Sequence, residues 1–291
     1  MTIPTIVSKL KYRQKLQTRC ITDIVDCCGI REGMVIKNFI SYKNDLFYFA
    51  ISKACKSLKA SRLLYDLGFY EDCIVLIRSA YESYLLSSYS LNNDISDVIK
   101  LTVINPILNL NIYDETGKYI HQSQQKAGKK YKYIKIKDLS ISTRHCDLDK
   151  KIHEELYGYL CEHTHPNFIT SFHYQNINYP LSFSCTPQKV DYPRVLFLSV
   201  FVANLLLGEI IVFEDLDPEY IRAVKRHILG GIEIIQLYLY SVPDVAFPEM
   251  FLNIWERSKL VLQDYLKNTY IKPTVTDQLR IDRIFESQVS L

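Results

Sequence analysis

The hydrophobic pattern of the chain predicts helices along most of its length. From residue 42 to residue 67, apolar side chains recur every three or four positions, the spacing of one helical face, at Phe47, Ile51, Ala54 and Leu58. Gly68 follows as a C-terminal cap, and a second apolar helix is predicted from about Tyr70 to Leu91. Because few residues separate them, the two helices should form an antiparallel hairpin.

A third helix is predicted from Asp147, a candidate N-cap, to His165. Its apolar positions follow an i, i+4 spacing, at Leu148, Ile152, Leu156 and Leu160. Pro166 disfavours helical geometry at the preceding residue, so the helix should end there. Three further helices should follow, at about 192–213, 217–241 and 247–268.

The pattern therefore predicts a mainly α fold, a helical bundle spanning residues 42–268. Residues 92–146 are rich in Asn and Lys, and they are predicted to form a loop-rich insertion with short elements. Residues 1–41 are predicted as an N-terminal segment with one or two short helices, and residues 269–291 as a polar C-terminal tail.

The composition fits a soluble globular protein with a sizeable core. Apolar residues make up 48% of the 291 positions and charged residues 23%. The net charge of +3 is too small to imply a polyanion partner for the surface as a whole. The eight cysteines contain no C-x-x-C pair, and the first residues lack the apolar core of a secretion signal. These features predict reduced thiols and a cytoplasmic location.

One segment, Val195 to Phe213, is long enough and apolar enough to cross a bilayer. Asn204 and Glu209 interrupt it, and Arg194 alone could anchor it to a membrane surface. Because a charge within the bilayer is costly, the segment is predicted to be a buried core helix, and no membrane partner is expected.

The second predicted helix contains two charged residues within an apolar surface. Arg78 and Glu82 lie four residues apart and should share a face. One interpretation is a structural ion pair that lines the bundle. The other is a guanidinium that is presented to an anion and held by Glu82.

The stretch LYGYLCEHTHP places several reactive side chains at the end of the third predicted helix. Tyr157, Cys161 and His165 share one face, whereas His163 should lie on another side, near the ring of Tyr159. The helix dipole should favour protonated histidine here, which suits phosphate binding or general-acid catalysis. The alternative is that each histidine only caps the helix. The i, i+2, i+4 spacing puts the middle side chain on the far side of the helix, so no metal site is predicted.

Two basic stretches are candidate contacts for nucleic acid. The run KAGKKYKYIKIK interleaves lysines with tyrosines, which can bind phosphates and stack on bases, and the candidate residues are Lys129, Lys130, Tyr131, Lys132 and Tyr133. A solvated loop is the alternative interpretation. A second cluster, formed by Arg222, Lys225 and Arg226, is predicted to be an exposed helix face. No phosphate-binding Gly loop, dinucleotide fingerprint or G-x-S-x-G elbow is present.

The stretches LGFYEDCIVLIRSAYESYLL and LYGYLCEHTHPNF resemble a bacterial family described only as a domain of unknown function. In that family, a helix with the pattern G-x4-A-x2-L-x-R-x3-E precedes one with the pattern Y-x2-L-S-x3-H. Cys73 and Cys161 stand where the family has Ala and Ser, and the likeness covers about residues 42–167. The matching positions are Gly68, Arg78, Glu82, Tyr157, Leu160 and His165.

The family is itself similar to the HEPN helical domains, many of which are metal-independent RNases in toxin–antitoxin, abortive-infection and antiphage systems. The resemblance therefore implies a HEPN-like bundle and RNA cleavage without metal or cofactor. The HEPN ribonuclease signature, an Arg and a His four to six residues apart on one helix, is absent here. The nearest pair, Arg144 and His145, is adjacent and lies in a predicted loop.

The resemblance also implies roles for individual residues. His165 would act as acid or base, Arg78 as the cation for the phosphorane charge, and Glu82 as the group that orients either, with Tyr157 and His163 beside them. One such histidine per chain implies a site shared across a homodimer, with RNA and a cognate antitoxin or defence protein as partners. The alternative function is a non-catalytic helical sensor or scaffold whose polar cluster binds a protein or an anionic ligand.

Overall fold

The computed structural model describes residues 2–28, 43–93, 136–164, 171, 174, 184–187, 192–214, 216–242 and 248–287. Within these ranges the chain is mainly helical and has no strand, in agreement with the predicted α class. Helix α5 begins as Cys146–Ile152, passes through a π-helical turn at His153–Tyr157 and ends as Gly158–Glu162. The other helices are α1 (Ile3–Cys28), α2 (Lys43–Leu67), α3 (Tyr70–Asn92), α4 (Ile136–Ile141), α6 (Pro193–Phe213), α7 (Pro218–Ser241), α8 (Pro248–Asn268) and α9 (Val275–Glu286).

Helices α2 and α3 form the predicted hairpin and pack along their length. The predicted apolar face of α2 is fully buried, at Phe47, Ile51, Ala54 and Leu58. Gly68 joins the helices with a φ of 89°, a backbone conformation that favours glycine because it has no Cβ. The predicted cap and hairpin are confirmed.

Helix α6 is the centre of the bundle and packs against α1, α3, α7 and α8. Among the described residues, it is the one helix long and apolar enough to cross a membrane, and 94% of its most apolar window is buried inside the protein. Asn204 and Glu209, which interrupt its apolar surface, are both buried. This surface is covered by other helices, as the prediction of a core helix expects.

Helix α1 is a single helix of 26 residues, whereas the sequence predicts one or two short helices before residue 41. The difference arises because its inward face is partly polar. Gln14 donates to the carbonyl oxygen of Leu58 at 2.9 Å and to Ser199 at 2.6 Å, and Gln17 donates to Asn204 at 2.7 Å. Buried polar groups are tolerated when they are hydrogen bonded in this way, but they hide the apolar stripe in the sequence.

Two short helices lie in segments predicted to be irregular. Helix α4 belongs to the predicted insertion, in agreement with its expected short elements, and residues 94–135 of that insertion lie outside the described residues. Helix α9 replaces much of the predicted C-terminal tail. Its N-cap, Thr274, accepts a hydrogen bond from the backbone N–H of Asp277, and Ile281 and Ile284 attach the helix to the core.

Helix α5 has the predicted apolar stripe, but it differs from the predicted helix at its N-terminus and in its middle turn. Ile152, Leu156 and Leu160 are buried, as predicted. His145, not Asp147, occupies the N-cap position, and its side chain makes no cap hydrogen bond. The π-helical turn widens the helix at His153–Tyr157, a departure often found at functional sites.

Candidate functional site

Helices α3 and α5 bring together three of the residues predicted from sequence. Arg78 donates from Nε to Glu82 Oε1 at 2.9 Å, which confirms that the two share a face. Arg78 Nη2 donates to the hydroxyl of Tyr157 at 2.9 Å, and that hydroxyl donates to Glu82 Oε1 at 2.9 Å. The three side chains therefore form a closed triangle of hydrogen bonds, which we name the open triad because solvent reaches it.

The open triad is only partly buried. The side chains of Arg78 and Glu82 are 18% and 27% exposed, and the Arg78 guanidinium lies 5.0 Å from the centre of the Tyr157 ring. Burial and the charge of Glu82 raise the pKa of Tyr157 to about 12, so its hydroxyl keeps its proton at neutral pH. Burial lowers the pKa of Arg78, but hydrogen bonding to Tyr157 and the charge of Glu82 outweigh it, and the pKa is raised overall.

The open triad leaves two groups available to a ligand. Its bonds use Nε and Nη2 of Arg78, and both bonds to Glu82 end on Oε1. Within the described part of the chain, Arg78 Nη1 and Glu82 Oε2 have no bonding partner, and neither is sealed from solvent. A hydrogen-bond donor and a carboxylate oxygen are thus accessible within one cluster.

His153 adjoins the open triad and is not among the residues predicted from sequence. Its ring stacks on Tyr157 with centroids 4.5 Å apart, and its centroid lies 6.5 Å from that of Tyr81. Burial lowers the pKa of His153, which favours the neutral imidazole. The signal in the sequence is its spacing, four residues before Tyr157 on the same helix, which the π-helical turn preserves as a stacked pair.

The other predicted histidines are not part of the open triad as described. His163 Nδ1 lies 3.0 Å from the carbonyl oxygen of Tyr159 and the two rings pack 4.8 Å apart, which confirms the predicted neighbour. The expected rise in the pKa of His163 is wrong, because burial outweighs the helix end and lowers it. His165 lies outside the described residues, as do Lys129, Lys130, Tyr131, Lys132 and Tyr133.

A second polar cluster, buried under the helices, was not predicted. Arg257 of α8 donates to Asp149 of α5 at 2.9 Å and to the hydroxyl of Tyr84 of α3 at 2.7 Å. The side chains of Arg257 and Asp149 are each 2% exposed. We name these three residues the sealed triad. The charge of Asp149 overcomes the cost of burial and raises the pKa of Arg257.

Further ion pairs lie near the sealed triad. Arg144 donates to Glu209 at 2.9 Å and lies 3.8 Å from Asp264, and His145 Nε2 lies 2.7 Å from Asp264. The pair of residues predicted to lie in a loop therefore binds two carboxylates from α6 and α8. Burial raises the pKa of Glu209 to about 7 even though Arg144 opposes the shift.

The described residues contain no group of three or more His, Cys, Asp or Glu side chains arranged to hold a metal ion. All eight cysteines are free thiols, and Cys161 is partly buried. The open triad itself supplies a fixed cation, a carboxylate oxygen and a tyrosine hydroxyl.

Residues 44–178 match the model of a family of unknown function, DUF5677. The matched segment includes α2 except for its first residue, the whole of α3 to α5, and with them the open triad. It does not reach α1, or α6 to α9, which supply Glu209, Arg257 and Asp264. No match was found to a curated protein or to a solved structure.

Proposed function

We propose that this protein is a metal-independent, HEPN-like endoribonuclease that acts in the cytoplasm as an effector of a bacterial antiphage or toxin–antitoxin system. The observation that carries the proposal is the geometry of the open triad. Arg78 has a fixed orientation, and one of its nitrogens and one oxygen of Glu82 remain available to a ligand. The resemblance of the two site helices to a family akin to the HEPN domains gives the reaction class.

Arg78 suits the role of phosphate ligand. Cleavage of RNA by its own 2′-hydroxyl places negative charge on a phosphorane, and a fixed cation that does not need to reorganise stabilises that charge. Glu82 and Tyr157 hold two of the three guanidinium nitrogens of Arg78, so the group has a fixed orientation. Nη1 remains to donate to a phosphate oxygen.

Glu82 suits the role of base or of the group that orients one. Oε1 is occupied by two hydrogen bonds, whereas Oε2 can accept the proton of the 2′-hydroxyl. Tyr157 keeps its proton at neutral pH and positions both neighbours. His165, which follows the described end of α5, is the proposed acid for the leaving oxygen, and the partner chain of a homodimer would complete the site.

The first test is growth arrest on expression in bacteria. We expect wild-type protein to arrest growth, and Arg78→Ala and His165→Ala to abolish the arrest while both variants accumulate as folded protein. Arg222→Ala is the matched control, since this exposed arginine lies outside the open triad. Persistent arrest by both site variants would show that these residues do not carry the toxicity.

A second function, a non-catalytic sensor or scaffold, is favoured by one observation. The guanidinium and carboxylate of the open triad already neutralise each other, as in a structural clamp between α3 and α5. In that case Arg78→Ala would chiefly lower the Tm, and purified protein would leave RNA intact. The same variants therefore separate the two functions.

A further inference from the structure

A cationic surface lies where α1 packs against α7, and it involves neither α3 nor α5. We name it the α1/α7 patch and define it by Arg13, Arg226, His227 and Gly230. The basic cluster predicted on α7 is divided by the fold. Lys225 points inward and bonds to Asp277, whereas Arg222 and Arg226 are exposed.

Arg13 is the unusual member of the patch. Its side chain is partly buried, yet no described residue forms a hydrogen bond or an ion pair with it. None of its nitrogens is among the sealed, unbonded atoms of the described residues, so each nitrogen still reaches solvent. Burial lowers the pKa of Arg13 more than the charge of Glu233 raises it, and no described residue bonds to the guanidinium.

The backbone of α7 is shaped to receive this arginine. A Cβ atom built on Gly230 would overlap the guanidinium of Arg13. The glycine therefore lets the guanidinium lie directly on the surface of α7. Arg226 is four residues earlier on α7, so it shares this face of the helix.

His227 follows Arg226 on α7 and lies three residues before Gly230, against which the guanidinium of Arg13 packs. Burial, then the charge of Arg13 and then that of Arg226 lower the pKa of His227 to about 4, with Asp23 opposing. Arg13 therefore packs on α7 about one helical turn from the position of Arg226.

The acidic groups nearby are already paired. Glu233 binds Arg280 through both oxygens, at 2.7 and 2.8 Å, and Asp23 lies 3.9 Å from Arg19. These pairs are neutral, so Arg13 and Arg226 leave two positive charges around His227. Two guanidinium groups presented from one face of α7 suit the tetrahedral oxygens of phosphate.

We propose that Arg13 and Arg226 form a binding site for a phosphate group, on the α1/α7 face and separate from the open triad. The phosphate belongs either to a small phosphate compound or to the backbone of an RNA strand, which present the same oxyanion chemistry. The site stands independently of the proposed ribonuclease activity.

The experiment measures binding of inorganic phosphate and of a short single-stranded RNA to the full-length protein by calorimetry. We expect at least one of these probes to bind, and Arg13→Gln and Arg226→Gln each to weaken that binding about tenfold or more. At ten times its Kd, the bound probe should raise the Tm of the wild type by about 2 °C. Arg19→Gln, an exposed arginine of the same helix, is the matched control and should bind within about twofold of the wild type.

His227 provides a second readout that a structural defect would not mimic. A bound anion offsets the two positive charges, so the pKa of His227 should rise from about 4 in the wild type on binding. NMR titration of the imidazole with and without the probe measures this change. In Arg78→Gln the pKa of His227 should still rise when the probe is bound, which separates this site from the open triad.

The two phosphate sources are distinguished by the salt dependence of RNA binding and by the affinity of RNA relative to that of inorganic phosphate. If RNA is the ligand, its affinity should fall steeply with salt, and each arginine substitution should reduce the log–log slope by about 1. If a small phosphate is the ligand, RNA should bind no more tightly than inorganic phosphate. The proposal is overturned if neither probe binds, if the two variants bind like the wild type, or if His227 does not respond to a bound probe.

Discussion

The open triad and the sealed triad contain the same three kinds of side chain in two different environments. Each joins an arginine, a carboxylate and a tyrosine, and each includes a residue of α3. The arginine and carboxylate are 18% and 27% exposed in the open triad, and 2% and 2% exposed in the sealed triad. The comparison teaches that exposure to solvent, and not residue type, distinguishes a candidate site from a structural cluster.

The bonding of the two clusters supports this distinction. In the sealed triad, Asp149 Oδ2 and Arg257 Nη1 are sealed from solvent and have no partner among the described residues. Buried ion pairs of this kind add little stability relative to apolar packing, but removing one partner leaves an uncompensated charge in the core. The unbonded atoms of the open triad instead reach solvent, so they can bind a ligand without leaving a charge buried in the core.

The largest expected difference comes from removing each arginine. Arg257→Ala leaves Asp149 uncompensated in the core, which should cost about 3–5 kcal/mol and lower the Tm by about 5–8 °C. Arg78→Ala should cost about 1 kcal/mol or less, since solvent screens the pair it breaks. Thermal unfolding of both variants measures the contrast. Equal losses would mean that the open triad is also a structural clamp.

The next effect is a pH dependence that originates beside the sealed triad. Glu209 has a pKa of about 7 in the folded chain, above its ordinary value of 4.5. Its contribution to stability is therefore fully present below pH 4.5 and is lost as the pH rises through 7, by up to about 3 kcal/mol.

Glu209→Gln should remove this dependence, because the amide stays neutral and can still accept from Arg144. Denaturant unfolding between pH 5.5 and 8.5 measures it, and the variant should show a flatter profile than the wild type. A variant profile as steep as that of the wild type would assign the dependence to another group.

A smaller effect should distinguish the two tyrosines. Tyr84→Phe removes the acceptor of a buried bond from Arg257, which should cost about 1.5–3 kcal/mol. Tyr157→Phe removes bonds that water can replace, so the free energy of unfolding should fall by about 1 kcal/mol or less. Urea unfolding of the two variants under one condition gives the comparison directly. A larger loss from Tyr157→Phe would reverse the assignment of the two environments.

The parts of this fold that could be predicted depend on local spacing. The buried face of α2 and the Arg78–Glu82 pair follow from positions three or four residues apart, which a helix brings together whatever its surroundings. Gly68 could be predicted for a similar reason, because a tight helix end favours that residue. Tyr157 was found through a resemblance of its helix to a family pattern.

The sealed triad could not be predicted because its partners are distant in sequence. Arg257 lies 108 residues from Asp149, and Arg144 lies 65 residues from Glu209. Nothing in the local pattern of one segment specifies a partner at such separations. Helix α1 was missed for a different reason, since Gln14 and Gln17 stand where an apolar stripe would reveal its inward face.

The most direct test of the central claim is RNA cleavage by the purified protein in excess EDTA, measured together with the Tm. We predict that the wild type cleaves single-stranded RNA without metal. Arg78→Gln and Glu82→Gln should reduce the rate by at least about 100-fold while each Tm stays within about 2 °C of the wild type. Wild-type rates in both variants, or no cleavage by the wild type, would contradict the account.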